Sequence, residues 1–200
     1  MSKLLFNLET LDENVLEKLK AYEAFLTKWN ANINIVSAGN TSKIWERHIV
    51  DSLQILPFLD NSVKLADMGC GIGLPALPIA IARPEINVFA IEPNNKKAAL
   101  VSQLIRELRL PNVHLLPERV QSVIISHMDY VCCRAFGEFS RDSKLAYKML
   151  KPGGSFITFK ADPEIKTPYG YQKIKNTEYK LPNYTKSFHI VTAVKIGELD

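Results

Sequence analysis

The tightest constraint on what this chain can become is the run Asp67-Met-Gly69-Cys-Gly71-Ile-Gly73. A short apolar stretch, 63–68, precedes it, and a helix-like segment, 75–83, follows and stops at Pro84. A strand feeding a glycine turn that feeds a helix opens a βαβ unit. Glycines in such a turn let the backbone take positive φ and approach a ligand closely. That ligand lies beyond the carboxyl ends of the strands. The next strand, 86–91, ends at Glu92, 21 residues after Gly71. A carboxylate there can accept hydrogen bonds from both hydroxyls of a ribose.

The rest of the chain continues that rhythm. Strands are expected at 113–116, 129–133 and 155–159. Helices are expected at 95–110 and 139–150, the second closed by Pro152-Gly153-Gly154. Strands alternating with helices predict parallel pairing. A late pair, 179–181 and 188–194, has no helix between its members and predicts an antiparallel edge. The expected fold is α/β, a doubly wound, mostly parallel seven-stranded sheet with an N-terminal helical extension. In that extension Thr10 and Glu13 have capping-box spacing. Leu11, Val15, Leu19, Tyr22, Phe25, Leu26 and Trp29 then form a helical stripe. Residues 30–37 read as a connection. A second helix is expected from Ser42, with Trp45, Ile49, Leu53 and Leu56 on one face and Pro57 near its end. The expected division is 1–60 for the extension and 61–200 for the sheet domain, the whole forming one structural unit.

Composition narrows the function. No apolar run approaches the roughly 18 residues of a membrane span, and residues 1–7 are too short and polar for a signal peptide. Cys70, Cys132 and Cys133 make neither a disulfide framework nor a zinc-type Cys-x-x-Cys pair, which suits a cytoplasmic protein without a metal. Net charge is −2 over 1–60, +1 over 61–140 and +7 over 141–195. A basic C-terminal third is what a polyanion-binding surface carries; a solvated lysine face carries the same charge.

Two cofactors compete for the glycine turn. Counted from Gly69, the dinucleotide pattern fails at Leu74; counted from Gly71, Gly-Ile-Gly-Leu-Pro-Ala satisfies it. An NAD-dependent oxidoreductase therefore stays open on the pattern alone. Asp67 favours a methyltransferase, in which a carboxylate just before the glycines organises the turn or meets the amino acid end of S-adenosylmethionine. A small-molecule methyltransferase is a further alternative, against which the basic third argues.

At these residues the chain resembles the bacterial 16S ribosomal RNA guanine-N7 methyltransferases, also called the glucose-inhibited division protein B family. The matching pieces are Trp29-Asn30 with Asn34, Arg47-His48-Ile49-Val50-Asp51-Ser52, and 67–81. They continue through Lys96-Lys97, 107–112, Glu118-Arg119-Val120, Cys133-Arg134-Ala135, and Gly153-Gly154 leading to Lys160. The Arg-His-Ile-x-Asp-Ser piece and the Gly-Leu-Pro extension of the turn are the most specific. Departures are Cys70 and Ala76 in the turn, Gln121 where an acid is usual, and Ala161 where glycine is usual.

The resemblance implies S-adenosylmethionine as cofactor, contacted by Gly69, Leu74, Val120, Gln121 and Arg134. Asp67, Gly71, Gly73 and Glu92 join that set from the residues themselves. It implies 16S ribosomal RNA or the small ribosomal subunit as partner; a monomer is expected, and the basic residues near the pocket mouth, Lys96, Lys97 and Lys160, are expected to face the RNA. Arg134 is the expected catalytic residue, closest to the methyl group. Guanine N7 carries a free lone pair, so attack on a sulfonium methyl needs no base, only in-line placement and exclusion of water. No Asp-Pro-Pro-Tyr-type motif for exocyclic amines follows the fourth strand. A cysteine nucleophile at Cys132 or Cys133, as in pyrimidine C5 methylation, is the rival chemistry. His48 and Asp51, three residues apart on one helix, are expected as a hydrogen-bonded structural pair.

Overall fold

The computed structural model describes residues 3–33, 44–134, 136–160 and 166–197, with the side chains of 30–33 excepted. Asn34, Ser42, Ala135 and Ala161 lie outside the described residues. Seven strands form one sheet: β1 (Lys64–Met68), β2 (Asn87–Ile91), β3 (Val113–Leu116), β4 (Met128–Arg134), β5 (Leu150–Lys160), β6 (Tyr171–Tyr179) and β7 (Phe188–Lys195). Their order is β3-β2-β1-β4-β5-β7-β6. β1 to β5 pair in parallel, while β7 runs antiparallel to both β5 and β6. The chain thus winds outward in two directions from β1 and β4. The crevice between their carboxyl ends is the topological switch point, where such sheets bind ligands.

Both faces of the sheet are buried, and the alternation along each strand sorts side chains between them. Leu65 of β1, Cys132 of β4 and Ile157 of β5 join one apolar cluster. Ala66, Val131 and Phe156 join the other. Helices α1 (Glu13–Ile33), α3 (Ala76–Ala82) and α4 (Asn95–Glu107) supply the first cluster, and α5 (Phe139–Met149) the second. Val15, Leu19, Tyr22 and Leu26 of α1 are buried in the same cluster as β1 and α3. The Tyr22 hydroxyl, fully buried, donates to the Ile72 carbonyl at 2.9 Å, fastening α1 to the glycine turn. A helical segment follows, with π-type turns over Trp45–Val50 and then α2 (Asp51–Leu53).

Several expectations are corrected in detail. The cap of α1 is Asp12, whose carboxylate accepts from Val15 N at 2.9 Å; Thr10 instead closes a preceding 3-10 turn, its hydroxyl donating to Asn7 O. Pro152-Gly153-Gly154 does not terminate α5 outside the sheet: β5 already starts at Leu150, paired with Met128. Gly154 is required there because a Cβ would stand 3.0 Å from the carbonyl oxygens of Met128, Asp129 and Lys151. β6 covers 171–179, not 179–181. Its interior is polar and largely exposed, as an edge strand is, so it carries no apolar alternation to read.

Candidate functional site

The turn after β1 is built from backbone. Gly69, Gly71 and Gly73 have φ of 76°, 62° and 96°, a region that L side chains rarely enter. Gly69 N and Cys70 N both donate to Ile91 O, at 3.0 and 2.9 Å, tying the turn to the end of β2. Glu92 completes the tie. Its Oε2 accepts from Gly71 N and its Oε1 from Asn94 N, each at 2.8 Å. Each carboxylate oxygen has a second lone pair, so Glu92 can hold the turn and still accept from a ligand hydroxyl.

The three glycines differ in what surrounds them. A Cβ on Gly69 would lie 2.5 Å from the Phe136 ring, and one on Gly73 would lie 2.5 Å from Leu77. A Cβ on Gly71 would meet nothing within 4 Å. Gly69 and Gly73 are thus glycine for packing, whereas Gly71 borders open space beside Glu92. This suits a nucleoside cofactor lying against bare backbone.

Asp67 is fully buried. Its Oδ2 accepts from Ala76 N at 3.1 Å, pinning the first amide of α3 across the turn. Oδ1 has no N–H or O–H partner among the described residues. Burial pushes this carboxyl up to about 7, opposed by the Ala76 hydrogen bond and by Arg134. A buried acid beside a glycine turn, with no N–H or O–H donor on Oδ1 and only the Cys132 thiol as a further side-chain donor, fits a cationic ligand group.

Arg134, the last residue of β4, belongs to a second assembly. Its Nη1 lies 3.3 Å from Asp51 Oδ2, and its Nη2 lies 3.0 Å from His48 Nδ1. Because a guanidinium only donates, Nδ1 accepts and the imidazole proton sits on Nε2, which is buried without a partner among the described residues. Burial first, then Arg134 and Arg47, push His48 down to about 3, so it stays neutral. Asp51, 1% exposed, also accepts from Arg47 at Oδ2 and from the Tyr179 hydroxyl at Oδ1. Burial and the Asp51 carboxylate push the Tyr179 phenol well up, so it remains a donor. His48 and Asp51 are hydrogen-bonded through the backbone, Asp51 N donating to His48 O, while their side chains meet only through Arg134.

The remaining expected residues fall into three places. Lys96 and Lys97 are exposed at the start of α4, where the Asn94 side chain accepts from both of their amides. Lys160 ends β5 and donates to Gly137 O at 2.9 Å. Leu74 is buried in the core beside α3. Val120, buried, and Gln121, exposed, line a separate cavity of about 310 Å³ bounded by Leu145 and Met149 of α5. Sequence reading assigned no role to Tyr22, Arg47, Phe136 or Tyr179. Arg47 stood inside a recognisable motif, but nothing local marked Tyr179, 128 residues after Asp51, as sharing the same carboxylate.

All three thiols are buried, and burial raises each of them, Cys133 to about 12. Cys133 contacts Thr158 Oγ1 at 3.4 Å. Among the described residues no group of His, Cys, Asp and Glu is placed to hold a metal, and no helix is long and apolar enough to cross a membrane.

Comparison with known proteins places the chain. A family model described as rRNA small subunit methyltransferase G matches residues 15–189. Ribosomal RNA small subunit methyltransferase G of Nitrosococcus oceani is 32% identical over 186 residues, covering 90% of this chain and 86% of that protein. The protein of the same name from Chromobacterium violaceum is 34% identical over 151 residues, covering 75% and 72%. Among solved structures, M. jannaschii TYW2 in complex with AdoMet superposes with a TM-score of 0.59 at 19% identity, covering 79% of this chain and 80% of that one. That likeness is one of fold.

Proposed function

The chain belongs to the rRNA small subunit methyltransferase G family, and on that premise we propose that it transfers the methyl group of S-adenosylmethionine to N7 of a guanine in 16S ribosomal RNA. The cofactor supplies an electrophilic methyl on a sulfonium centre. The observation that carries the reading is the open backbone of Gly71 with the buried Glu92 carboxylate directly against it. Gly71 lets the nucleoside lie close, and Glu92 accepts from its ribose hydroxyls. Asp67, through Oδ1, which no N–H or O–H of the described residues reaches, faces the cationic amino acid end. Gly69, Gly73 and Leu74 fix the turn, and Val120 and Gln121 border the adenine.

The acceptor side asks for placement rather than proton removal. N7 has its lone pair free, and neither His48 nor the thiols are poised to take a proton: His48 is held neutral by burial and two guanidiniums, and the thiols stay protonated. Arg134 stands closest to the reacting atoms as the catalytic residue, its guanidinium fixed by Asp51 and His48. Lys96, Lys97 and Lys160 meet RNA phosphates. The enzyme acts in the cytoplasm as a monomer, with the extension 1–60 and the domain 61–200 working as one unit through the Tyr22–Ile72 bond.

The dinucleotide alternative is disfavoured at one atom. A pyrophosphate would use the amides at the start of the helix after the turn. Here the first of them, Ala76 N, is engaged by the Asp67 carboxylate. Mass-spectrometric mapping of small-subunit RNA incubated with cofactor, with and without the protein, tests the proposal. The expected result is a new N7-methylguanosine at one position. Methyl on another atom, or none, rejects it.

A further inference from the structure

A cavity of about 260 Å³ opens where the N-terminal helical segment meets the C-terminal hairpin. Four cations line it from four separated parts of the chain: Arg47, Arg134, Lys160 and Lys186. Among the described residues Asp51 is the one acid in its wall, and both of its oxygens are already occupied by Tyr179, Arg47 and Arg134. The described part of the wall therefore carries three positive charges in excess of its acid.

Position and chemistry agree. Arg134 and Lys160 are the last residues of the neighbouring parallel strands β4 and β5, and His189, next to Phe188, pairs with Lys160 across β5 and β7. The cavity thus lies at the carboxyl ends of the strands, the side on which the glycine turn follows β1. Its aromatic lining is not a stacking platform. Phe188 is 5% exposed, with the Arg47 guanidinium 4.9 Å and the Lys186 ammonium 5.4 Å from its ring centre. Those contacts hold the cations in place and leave charged donors as the groups presented to a ligand. A guanidinium offers five N–H donors and an ammonium three, more than the bonds each makes here.

We propose that this cavity receives a backbone phosphate of the RNA strand that carries the acceptor guanine, with Arg47 and Lys186 as contacts beyond the lysines named above. The inference rests on the reading of the chain as a ribosomal RNA methyltransferase. It makes the N-terminal segment and the hairpin before β7 two jaws of one phosphate clamp. The buried Asp51 orients both guanidiniums so that the anion meets a preset array.

The test measures binding of the full-length protein to small ribosomal subunits lacking the modification, as a function of salt, and binding of S-adenosylmethionine separately. Lys186 is exposed, so Lys186→Ala leaves the fold intact. It should weaken RNA binding and reduce the slope of log affinity against log salt by about one unit, with cofactor affinity unchanged. Lys186→Arg should restore the slope. Lys64→Ala, at the opposite end of β1, should keep the wild-type slope. Wild-type affinity and slope in both Lys186→Ala and the Lys160→Ala/Lys186→Ala pair would overturn the clamp while wild-type methylation still stands. Loss of cofactor affinity with RNA binding intact would also overturn it, making the anion the cofactor carboxylate. A wild-type protein that neither binds nor methylates the particles would remove the underlying reading, and the clamp with it.

Discussion

The glycine turn and the Arg134–Asp51 cluster sit at the same end of the sheet, beyond the carboxyl ends of its central strands, and are built in opposite ways. The turn is local and made of backbone: residues 67–76, with Glu92 closing it, are held by amides donating to carbonyls and carboxylates. The cluster is assembled from side chains at positions 47, 48, 51, 134 and 179, which only the finished sheet brings together. A site made of backbone tolerates side-chain change wherever the main-chain path is kept. A site made of buried charges fails when any one member is removed, because the others remain desolvated.

The largest expected effect follows from that difference. Asp51→Ala removes the acceptor shared by two guanidiniums and a phenol, and should destabilise the protein by about 3–5 kcal/mol, the usual result of stranding a buried charge. Chemical denaturation measures it. A loss no larger than that of a surface substitution would mean that the cluster is solvated and the contrast false.

At the turn the damage should fall on binding. Gly71→Val puts a branched side chain into the open space beside Glu92 and should abolish cofactor binding in a protein that still folds. Near-normal affinity in the folded variant would remove the case for this pocket. Glu92→Gln replaces a charged acceptor of two backbone amides. A charge-assisted hydrogen bond contributes about 1.5–3 kcal/mol, so cofactor affinity should drop on the order of tenfold or more in calorimetric titration. An unchanged dissociation constant would put the ribose elsewhere.

Asp67 sharpens the comparison through pH. Burial raises its carboxyl to about 7 in the folded chain, against about 3.9 when unfolded. The folded state then holds a proton that the unfolded state has released. Stability from this group is complete below about pH 4 and is lost as pH rises to about 7. A cationic ligand group favours the ionised form, so cofactor affinity should rise through the same window while apo-protein stability falls. Asp67→Asn should flatten both curves; persistence of both in that variant would assign them to another group.

The smallest effect is expected at the cysteines. Their buried thiols stay protonated across the working range, so Cys132→Ser and Cys133→Ser should retain substantial single-turnover activity. With cofactor saturating, the rate should show no base-dependent limb between about pH 6 and 9. A fall of several orders of magnitude in either folded variant, with thiolate-like pH dependence, would replace N7 transfer by a cysteine mechanism.

What the sequence determined by itself was whatever depends on near neighbours in the chain. The glycine spacing, the acid after β2, the short apolar runs between turn residues and the helical stripe of 11–29 placed α1, β1 to β4, β7 and α3 to α5 to within a few residues, because each is fixed by its own φ/ψ preferences and apolar pattern. The cofactor turn was legible for the same reason. The tertiary structure alone decided the rest. β6 has an exposed, polar interior and is a strand only because β7 offers it a ladder. Which turn glycine faces open space depended on where Phe136 and Leu77 pack. The partners of Asp51 were decided by a sheet order that sets residue 134 and residue 179 against the same helical segment. Local sequence carries no record of such pairings, since burial fixes them only after distant segments have met.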